Sequence, residues 1–494
     1  MKPASSTGTA PHELDRGHRL LVLGICCMSL FVVGIDNTGV NLALPSIHAD
    51  LGASFSQLQW VVDAYLLVLA SLLMLSGSVA DRVGRRRTFQ VGLVLFGLGS
   101  TLCSVSTGPG MLIAARGLQA IGGSMLNPVA MSIITNTFHD ARERAQAIGI
   151  WGATVGLSMA LGPVVGGALV DAIGWRSIFW LNVPIVVLAA LLAARYVPES
   201  RAARPRRFDP VGQLLVIVLL ATLTYGIIEG RAAGWGSPQI VACFAVAAAA
   251  LVVLGWYEPR RREPLLEVRF FRSVPFSGSV VTAIVGFAAM GGFLFLNTLY
   301  LQDSRGFSPF HAGLLTLPMA GMTAVCAPIS GRIVGSRGPR IPMLIAGAGV
   351  IGCAVILTGL SNTTSLWLLG AAYFVFGVGF GMLNAPITNT AVSGMPRSQA
   401  GTASAVASTS RQIGSSLGVA IFGALVFGRM DGPATTGLAG ASHVAWVVMA
   451  VCGVVLLGMA LLTTGRWAAR SEESVRYHLI EDAGRPMTVG SAGS

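Results

Sequence analysis

Charged residues are scarce in this sequence, and lysine is almost absent. Only 11% of the 494 residues are charged, and Lys2 is the only lysine. A phosphate-binding loop of the form G-x-x-x-x-G-K-[ST] needs a lysine beside its glycines, so no such loop exists in this chain. We therefore predict no ATP and no cofactor. Active transport by this chain would draw on an ion gradient or on an ATPase in another polypeptide.

Cysteine and histidine are also few, and neither shows a metal-binding spacing. All seven cysteines fall within apolar stretches, where they are typical small packing residues and predict no disulfide framework. The seven histidines lie at the ends of apolar stretches or in the tails, so we predict no metal site. We also find no nucleophile with a partner base, and we predict that the protein is not an enzyme.

Apolar residues are abundant instead. The chain is 53% hydrophobic, with a mean hydropathy of +0.71, and apolar runs of membrane-crossing length recur from end to end. The sequence predicts an all-α polytopic membrane protein in the cytoplasmic (inner) membrane. Its fourteen spans are expected near 20–44, 57–79, 88–106, 111–134, 146–170, 177–196, 211–229, 238–257, 276–301, 311–334, 341–360, 365–389, 399–427 and 443–465.

The net charge of +12 follows the alternation of the spans. With a cytoplasmic N-terminus, the loops of the other side hold only Arg176, Arg231, Arg305 and Arg429 as basic residues. The positive-inside rule then predicts that both termini are cytoplasmic and that the first span is an uncleaved signal anchor. The basic residues thus indicate topology and contact with membrane lipid, and we predict no nucleic-acid partner.

The sequence divides into two similar halves around an insertion. "GSVADRVGRRR" from Gly77 resembles "GRIVGSRGPRI" from Gly331, and two further matches ("MLN", "GALV") keep nearly the same offset. We expect a six-helix bundle at 20–197, a two-helix insertion at 198–275, and a second six-helix bundle at 276–465. Residues 1–19 and 466–494 are expected to be cytoplasmic tails.

Six motifs, in order along the chain, resemble those of the major facilitator superfamily, and within it the fourteen-helix drug:proton antiporters. They are "GIDNTGVNLALP", "GSVADRVGRRR", "RGLQAIGGSM", "GLSMALGPVVGG", "WRSIFWLNVP" and "RQIGSSLGVA". The resemblance implies the major facilitator fold and a transport site at the midplane between the halves.

Two acids and one arginine share a depth in the outer half of the predicted bundle. Asp36 lies roughly 24 Å above the start of its span, at about 1.5 Å per residue, and Asp63 and Arg116 fall in the same slab. The resemblance implies that spans 1 and 4 line one cavity, which favours an Asp36–Arg116 interaction. A buried carboxylate beside a guanidinium is suited to proton coupling. The alternative is a static ion pair, and for Asp63 a cap from Tyr65 or the backbone.

Two further motifs predict moving parts. The resemblance implies that the loop after span 2 latches the cytoplasmic side, with Asp81 near Ser398. The residues of this loop are Gly77, Asp81, Arg82, Gly84, Arg85 and Arg86. The alternative is a loop that only sets topology. The kinked span 5, with Gly156, Gly162, Pro163, Gly166 and Gly167, is associated by the resemblance with exporters. We expect it to hold the cytoplasmic seal at the interface between the halves, the alternative being ordinary close packing.

The expected substrate cavity is lined by polar and aromatic residues. They are Asn37, Trp60, Gln119, Phe293, Asn297, Tyr300, Tyr373, Asn384 and Arg411. Aromatic residues are more often packing, and Arg411 has a structural alternative. The overall prediction is a monomeric proton-coupled antiporter that exports lipophilic, cationic or neutral drugs. The alternatives are a symporter of the same fold importing a metabolite and, from another class, a membrane receptor or enzyme.

Overall fold

A computed structural model describes residues 15–202, 209–261, 267–393, 395, 399–430, 432–465 and 467–474. The helices of the first half and of the insertion are α1 (Arg16–Leu51), α2 (Phe55–Val83), α3 (Arg85–Ser104), α4 (Pro109–Thr137), α5 (Ala141–Ile173), α6 (Arg176–Tyr196), α7 (Pro210–Ala233) and α8 (Pro238–Tyr257). The second half contains α9 (Val274–Leu299), α10 (Pro309–Leu315), α11 (Leu317–Arg337), α12 (Arg340–Leu357), α13 (Leu366–Gly381), α14 (Asn384–Val392), α15 (Ala400–Phe427) and α16 (Ala434–Leu462). Short 3₁₀ turns lie at Glu258–Arg260 and Val268–Arg272, and a π turn at Tyr300–Ser304.

Twelve helical segments in the described part of the chain are long and apolar enough to cross a membrane. Helices α10 and α11 together form one of these segments, as do α13 and α14. The predicted spans 3 and 4 are also helices, α3 and α4, but they are not among the twelve. Helix α3 opens with three arginines, and α4 carries Arg116, Gln119 and Asn127. The protein is an all-helical, multi-pass membrane protein.

Local sequence explains where the helices begin and end. Asp15 accepts a hydrogen bond from the Gly17 amide at the start of α1, and Ser54 forms a capping box with Gln57 at the start of α2. Gly52 ends α1 with a φ of 61°, which favours glycine. Because these signals lie in the polar flanks, α1 is longer than its predicted span of 20–44.

Each half forms its own bundle, and several helix pairs join the bundles. In the first half α1 packs against α5 and α6, and α4 packs against α2 and α3. In the second half α9 packs against α15 and α16, while α12 packs against α13 and α16. The halves meet where α2 packs against α15 and where α5 packs against α10 and α11. The inserted helices α7 and α8 pack against each other, and α7 contacts both α2 and α15.

Polar contacts define two faces of the molecule. At the face where α1 begins, called here the N-terminal face, Arg19 pairs with Glu143 at 2.7 Å, and His18 contacts the Tyr196 carbonyl at 2.7 Å. At the opposite face, where α1 ends, Arg176 pairs with Asp50 at 2.6 Å.

The two halves are joined closely at the opposite face. Gln59 of α2 donates to the carbonyl oxygens of Val419 and Ala420 at 3.0 and 3.1 Å. Gln302 donates to the Leu42 carbonyl at 2.9 Å. The rings of Phe55 and Phe427 stack with centroids 4.3 Å apart. The structure therefore represents a conformation that is closed at the opposite face.

Candidate functional site

The Asp36 carboxylate lies at the centre of a buried polar network. Its Oδ2 accepts from Arg116 Nη1 at 2.5 Å, and its Oδ1 accepts from Gln119 Nε2 and Asn182 Nδ2, both at 2.9 Å. Ser100 Oγ accepts from Gln119 at 2.8 Å and from Asn182 at 3.3 Å. The Asp36 side chain is 0% exposed and that of Arg116 is 1% exposed. Three donors therefore satisfy this carboxylate, which explains how α1 tolerates it.

Arg116 is held from several sides. Its Nη1 also donates to Gln119 Oε1 at 2.6 Å, and its Nε donates to the Val61 carbonyl at 3.1 Å. The Tyr65 ring lies beneath the guanidinium, with 4.2 Å between Cζ and the ring centroid. A guanidinium with charged, polar and aromatic partners is fixed in orientation, and it stabilises the ionised carboxylate beside it. The pair thus joins α1 to α2 and α4.

Small residues allow the network to form. A Cβ on Gly99 of α3 would lie 2.5 Å from the Gln119 backbone nitrogen, so α3 and α4 pass each other at a distance that only glycine permits there. This close approach brings Ser100 within reach of Gln119. The packing of α3 on α4 therefore builds part of the site as well as part of the core.

Asp63 is the second buried acid, and its surroundings differ. Its side chain is fully buried, yet neither carboxylate oxygen has a hydrogen-bond partner in the described structure. The Ser416 hydroxyl of α15 faces it across the interface between the halves, also without a formed hydrogen bond. Leaving a charge there costs free energy because no donor compensates for lost hydration. The sequence left open that Tyr65 or the backbone caps Asp63. Among the described residues, neither donates a hydrogen bond to it.

Most of the aromatic residues expected in the substrate cavity lie inside the C-terminal bundle instead. The Phe293 ring stacks on Phe376 with centroids 4.6 Å apart and lies edge-on to Tyr373. The Tyr373 hydroxyl donates to Asn297 Oδ1, and that of Tyr300 donates to the Ser361 carbonyl at 2.7 Å. These side chains are buried against each other, so in this conformation they form core and not a cavity wall.

The remaining residues expected in the cavity fall in separate places. Gln119 belongs to the Asp36 network, and Trp60 donates to Glu229 Oε1 of α7 at 2.9 Å. Glu229 therefore binds α2. Asn37, Asn384 and Arg411 remain half-buried. Arg411 donates to the hydroxyls of Thr388 and Ser408 at 3.2 and 2.9 Å.

The loop after α2 is fastened to the segment that follows α6. Arg85 Nη2 donates to Asp81 Oδ1 at 2.9 Å, and its backbone amide donates to the Ser200 carbonyl at 2.9 Å. Gly84 has a φ of 125°, and a Cβ there would lie 2.5 Å from a Glu199 carboxylate oxygen. The expected Asp81 partner, Ser398, lies outside the described residues.

Glu199 organises the rest of this loop. Its Oε1 accepts from the Arg86 amide at 3.1 Å, and its Oε2 lies 3.7 Å from Arg87 Nε. Gly77 belongs to the last turns of α2, and a Cβ there would meet open space. Arg82 follows Asp81 in the same turn and ends α2 with Val83. The arginines of this loop thus have structural contacts in addition to setting the charge of this face.

The glycines of the kinked helix α5 serve two different interfaces. A Cβ on Gly162 or Gly166 would collide with Thr38 or Gly39 of α1, within the same half. A Cβ on Gly167 would collide with the Pro309 carbonyl of α10. In the same way, a Cβ on Gly313 of α10 would collide with the Pro163 carbonyl of α5.

The expectation that Gly166, like Gly167, packs at the interface between the halves is therefore wrong. Gly166 does not meet the other half, since it faces α1. The contact with α10 lies toward the opposite face, so in this conformation the motif closes that face and does not seal the N-terminal face. Gly156 is part of α5, but its packing lies outside the described residues.

Sequence reasoning missed four residues of these sites. Asn182 lies in the motif "WRSIFWLNVP", but nothing in its spacing links it to Asp36. Ser100 lies in a part of α3 outside the six motifs, and Glu199 lies in the loop after α6. Gln59 is a single amide that caps nothing in its own helix. Only the three-dimensional packing brings these polar atoms to their partners.

Comparison with known proteins agrees with this architecture. A sequence profile described as "Major Facilitator Superfamily" matches residues 26–419. The chain belongs to the major facilitator superfamily. It is therefore a transporter of small molecules and not an enzyme, and it is a multi-pass protein of the cell membrane.

Curated relatives in this superfamily are resistance and export proteins. The chain is 36% identical over 408 residues to "Multidrug resistance protein Stp" of Mycobacterium tuberculosis (strain CDC 1551 / Oshkosh). The aligned residues cover 83% of this chain and 76% of the relative. It is 34% identical over 436 residues to "Tetracenomycin C resistance and export protein" of Streptomyces glaucescens, covering 86% and 79%. The third relative is "Multidrug efflux pump LfrA" of Mycolicibacterium smegmatis, at 33% identity over 410 residues, covering 82% and 80%.

A solved structure shares the fold of this transporter. It is the crystal structure of a POT family transporter in complex with a thioalcohol-conjugated peptide, with a TM-score of 0.66 and 16% identity. The similarity covers 89% of this chain and 94% of the other. At this identity it shows the major facilitator fold alone.

Proposed function

We propose that this protein is a proton-coupled antiporter that exports lipophilic drugs or antibiotics across the cytoplasmic membrane. The observation that carries the proposal is the buried Asp36–Arg116 pair, a titratable charge within a membrane transporter that has no phosphate-binding loop. An ionisable residue inside a membrane bundle marks an ion or substrate pathway by default. The names of the three relatives support the export direction and the class of cargo.

The proposed topology has fourteen spans with both termini in the cytoplasm. Helices α3 and α4 pack between α2 and α6, which are apolar enough to cross, so we count them as spans as well. The N-terminal face carries most of the arginines and is therefore assigned to the cytoplasm. The described structure then represents a state that is closed to the outside. Each chain is proposed to act as a monomer built from two six-helix bundles and the α7–α8 insertion.

The proposed coupling uses Asp36 and Asp63 in different roles. Asp36 alternates between the ion pair with Arg116 and a protonated form, which frees the guanidinium network to rearrange. Asp63 accepts no formed hydrogen bond and lies opposite the Ser416 hydroxyl at the α2–α15 interface, where a neutral carboxyl group allows the halves to close and a charged one favours opening. Proton release from either acid is thereby linked to the change of access.

The proposed moving interface includes α5 and the loop after α2. The close contact of α5 with α10 closes the outer side, and separation of these helices opens it. The loop containing Asp81 and Arg85 holds the cytoplasmic ends of α2, α3 and α6 together as one unit. The N-terminal half then rocks as a body against the C-terminal half.

Transport direction separates this proposal from its alternative, a proton symporter that imports a metabolite. The test is a growth-inhibition panel on a pump-deficient host, followed by transport in everted vesicles and whole cells. We expect resistance to several lipophilic compounds and proton-dependent accumulation in everted vesicles. Proton-dependent uptake by whole cells without any gain of resistance would contradict export.

A further inference from the structure

Helix α15 has a polar, half-buried side in the middle of the protein. The residues of this side are Ser404, Ser408, Arg411, Gln412 and Ser415, which recur every three or four positions and so share one side of the helix. Four positions after Ser415, the Val419 carbonyl accepts a hydrogen bond from Gln59 of the N-terminal half. This side of α15 is therefore directed at the interface between the halves. It stays accessible at its middle and is covered toward the outer face.

Arg411 is the cation of this polar side, and the described part of the chain gives it no acid. Its two recorded partners are the neutral hydroxyls of Thr388 and Ser408. A guanidinium has five N–H donors, so three remain for other partners. Helix α15 is surrounded by α2, α7, α9, α14 and α16, which keeps this charge away from lipid. The accessible part of the guanidinium therefore faces an internal space.

An unpaired arginine at this depth contrasts with the other buried arginine. Arg116 has a carboxylate at 2.5 Å, whereas no acid pairs with Arg411 among the described residues. A charge removed from bulk water is costly unless a partner compensates it. In a membrane transporter, an ionisable residue inside the bundle marks a substrate or ion pathway.

We propose that Arg411, with Thr388, Ser408 and Gln412, binds an anionic oxygen group of the substrate, such as a carboxylate or a phenolate. Planar bidentate contacts between a guanidinium and a carboxylate are strong and directional. This proposal rests on the proposed export function and specifies its cargo as amphiphiles that carry an acidic group. It replaces the expectation, drawn from the sequence, of a cationic or neutral drug.

The test is equilibrium binding to the purified full-length protein in detergent, outside any pH gradient. The probes are three planar aromatic acids, each paired with its own primary amide: anthraquinone-2-carboxylic, naphthalene-2-carboxylic and acridine-9-carboxylic acid. The amide keeps the shape and removes the charge. We expect at least one acid to bind about tenfold more tightly than its amide, or better. A tenfold ratio of Kd corresponds to about 1.4 kcal/mol of binding free energy.

Variants assign the preference to Arg411. Arg411→Gln is expected to bring acid and amide to equal affinity, and Arg411→Lys to retain only part of the preference, because lysine keeps the charge but not the planar bidentate geometry. Arg332→Gln is the matched control, because Arg332 is an exposed arginine of the same half; it is expected to behave as wild type. The thermal unfolding temperature of each variant, measured in the same detergent, identifies any that misfold.

Two results overturn the proposal. One is that none of the acids binds the wild-type protein more tightly than its amide. The other is that the preference survives in Arg411→Gln, which would assign acid recognition to another group. Either result leaves the export proposal standing, since proton-driven transport is measured separately in vesicles. Loss of proton-driven transport for every probe, with the acid preference intact, would instead reject the proposed function.

Discussion

Asp36 and Arg116 lie 80 positions apart in the chain, and in the folded protein they form a fully buried ion pair of 2.5 Å. Gln119 and Asn182 each donate a further hydrogen bond to the same carboxylate. The pair therefore belongs to a network that ties five helices of the N-terminal bundle together, α1, α2, α3, α4 and α6. A change of charge at Asp36 disturbs α1, α4 and α6 at once, and this makes it suitable for coupling.

The first prediction concerns the charge of Asp36. We expect Asp36→Asn to insert into the membrane and fold but to lose efflux driven by a pH gradient, because the amide cannot exchange a proton. Efflux is measured in everted vesicles at equal protein level. Asp171→Asn, at an exposed position in the last turn of α5, is the control and is expected to transport normally. Persistent uphill export by Asp36→Asn would exclude Asp36 as the coupling site.

The second prediction separates structure from coupling at the same pair. Arg116→Gln leaves a buried carboxylate without its cation, which typically costs about 3–5 kcal/mol. Adding Asp36→Asn removes that charge, so we expect the double variant to recover much of the lost thermal stability without recovering transport. Thermal unfolding in detergent and vesicle transport are measured on both variants. Equal instability of the single and double variants would mean that the two groups do not interact.

The third prediction is that the two buried acids respond oppositely to neutralisation. Asp36 has three donors, so Asp36→Asn is expected to lower stability by about 1–3 kcal/mol. Asp63 accepts no formed hydrogen bond and faces only the Ser416 hydroxyl, so Asp63→Asn is expected to leave the unfolding temperature unchanged or to raise it. Both variants are expected to lose coupling. A marked loss of stability in Asp63→Asn would show that the carboxylate has a partner.

The fourth prediction tests the contact of α5 with α10. We expect Gly167→Ala to push the halves apart at the opposite face, because the new methyl group collides with the Pro309 carbonyl. Spin labels at the exposed positions Ala49 and Arg429 report the distance between the halves there. That distance is expected to increase, with reduced efflux.

Gly149→Ala provides the matched control for this experiment. It lies in the same helix, and a Cβ there meets open space. An increase in the distance in both variants, or in neither, would contradict the assignment of this contact as the outer seal.

The fifth prediction concerns the inserted helices. Helix α7 is bound to α2 at both ends, where Gln213 donates to the Ser71 carbonyl and Glu229 accepts from Ser56 and Trp60. Its contacts with α15 include the apolar packing of Leu220 near Ile413. We therefore expect the hairpin to move with the N-terminal half while α15 slides past it.

Disulfide crosslinks in a cysteine-free background test this movement. A crosslink between cysteines at positions 71 and 213 is expected to leave transport intact. A crosslink between cysteines at positions 220 and 413 is expected to arrest it until a reductant is added. The same double variants in reduced form serve as controls. Any other combination of outcomes would contradict motion of the hairpin with the N-terminal half.

Sequence reasoning worked where the membrane imposes simple rules. Long apolar runs predicted the helices, because a helix that spans the membrane must satisfy its backbone hydrogen bonds internally. The order of the motifs predicted the superfamily. The common depth of Asp36 and Arg116, together with the resemblance that places spans 1 and 4 at one cavity, predicted that the two residues interact. Depth alone did not predict that Asp63 stays outside the network of Asp36 and Arg116. The rise of a helix fixes the height of a side chain but not the direction in which it points.

Residues that act through packing were not predictable in this way. Phe293 and Tyr373 share a depth with the cavity, but they point into their own bundle. Gly166 and Gly167 are adjacent in sequence and therefore face different helices, about 100° apart around the axis. Asn182 and Ser100 are ordinary polar residues until the folding of α3 and α6 brings them to Asp36.

The central claim is that protons and substrate move in opposite directions through one site that includes Asp36. The most direct measurement uses proteoliposomes with an internal pH dye and the tightest-binding probe of the acid and amide panel. An imposed proton gradient is expected to drive the probe uphill against the proton flow in wild-type protein, and to fail in Asp36→Asn. Movement of the probe in the same direction as the protons, or uphill movement in Asp36→Asn, would contradict the account.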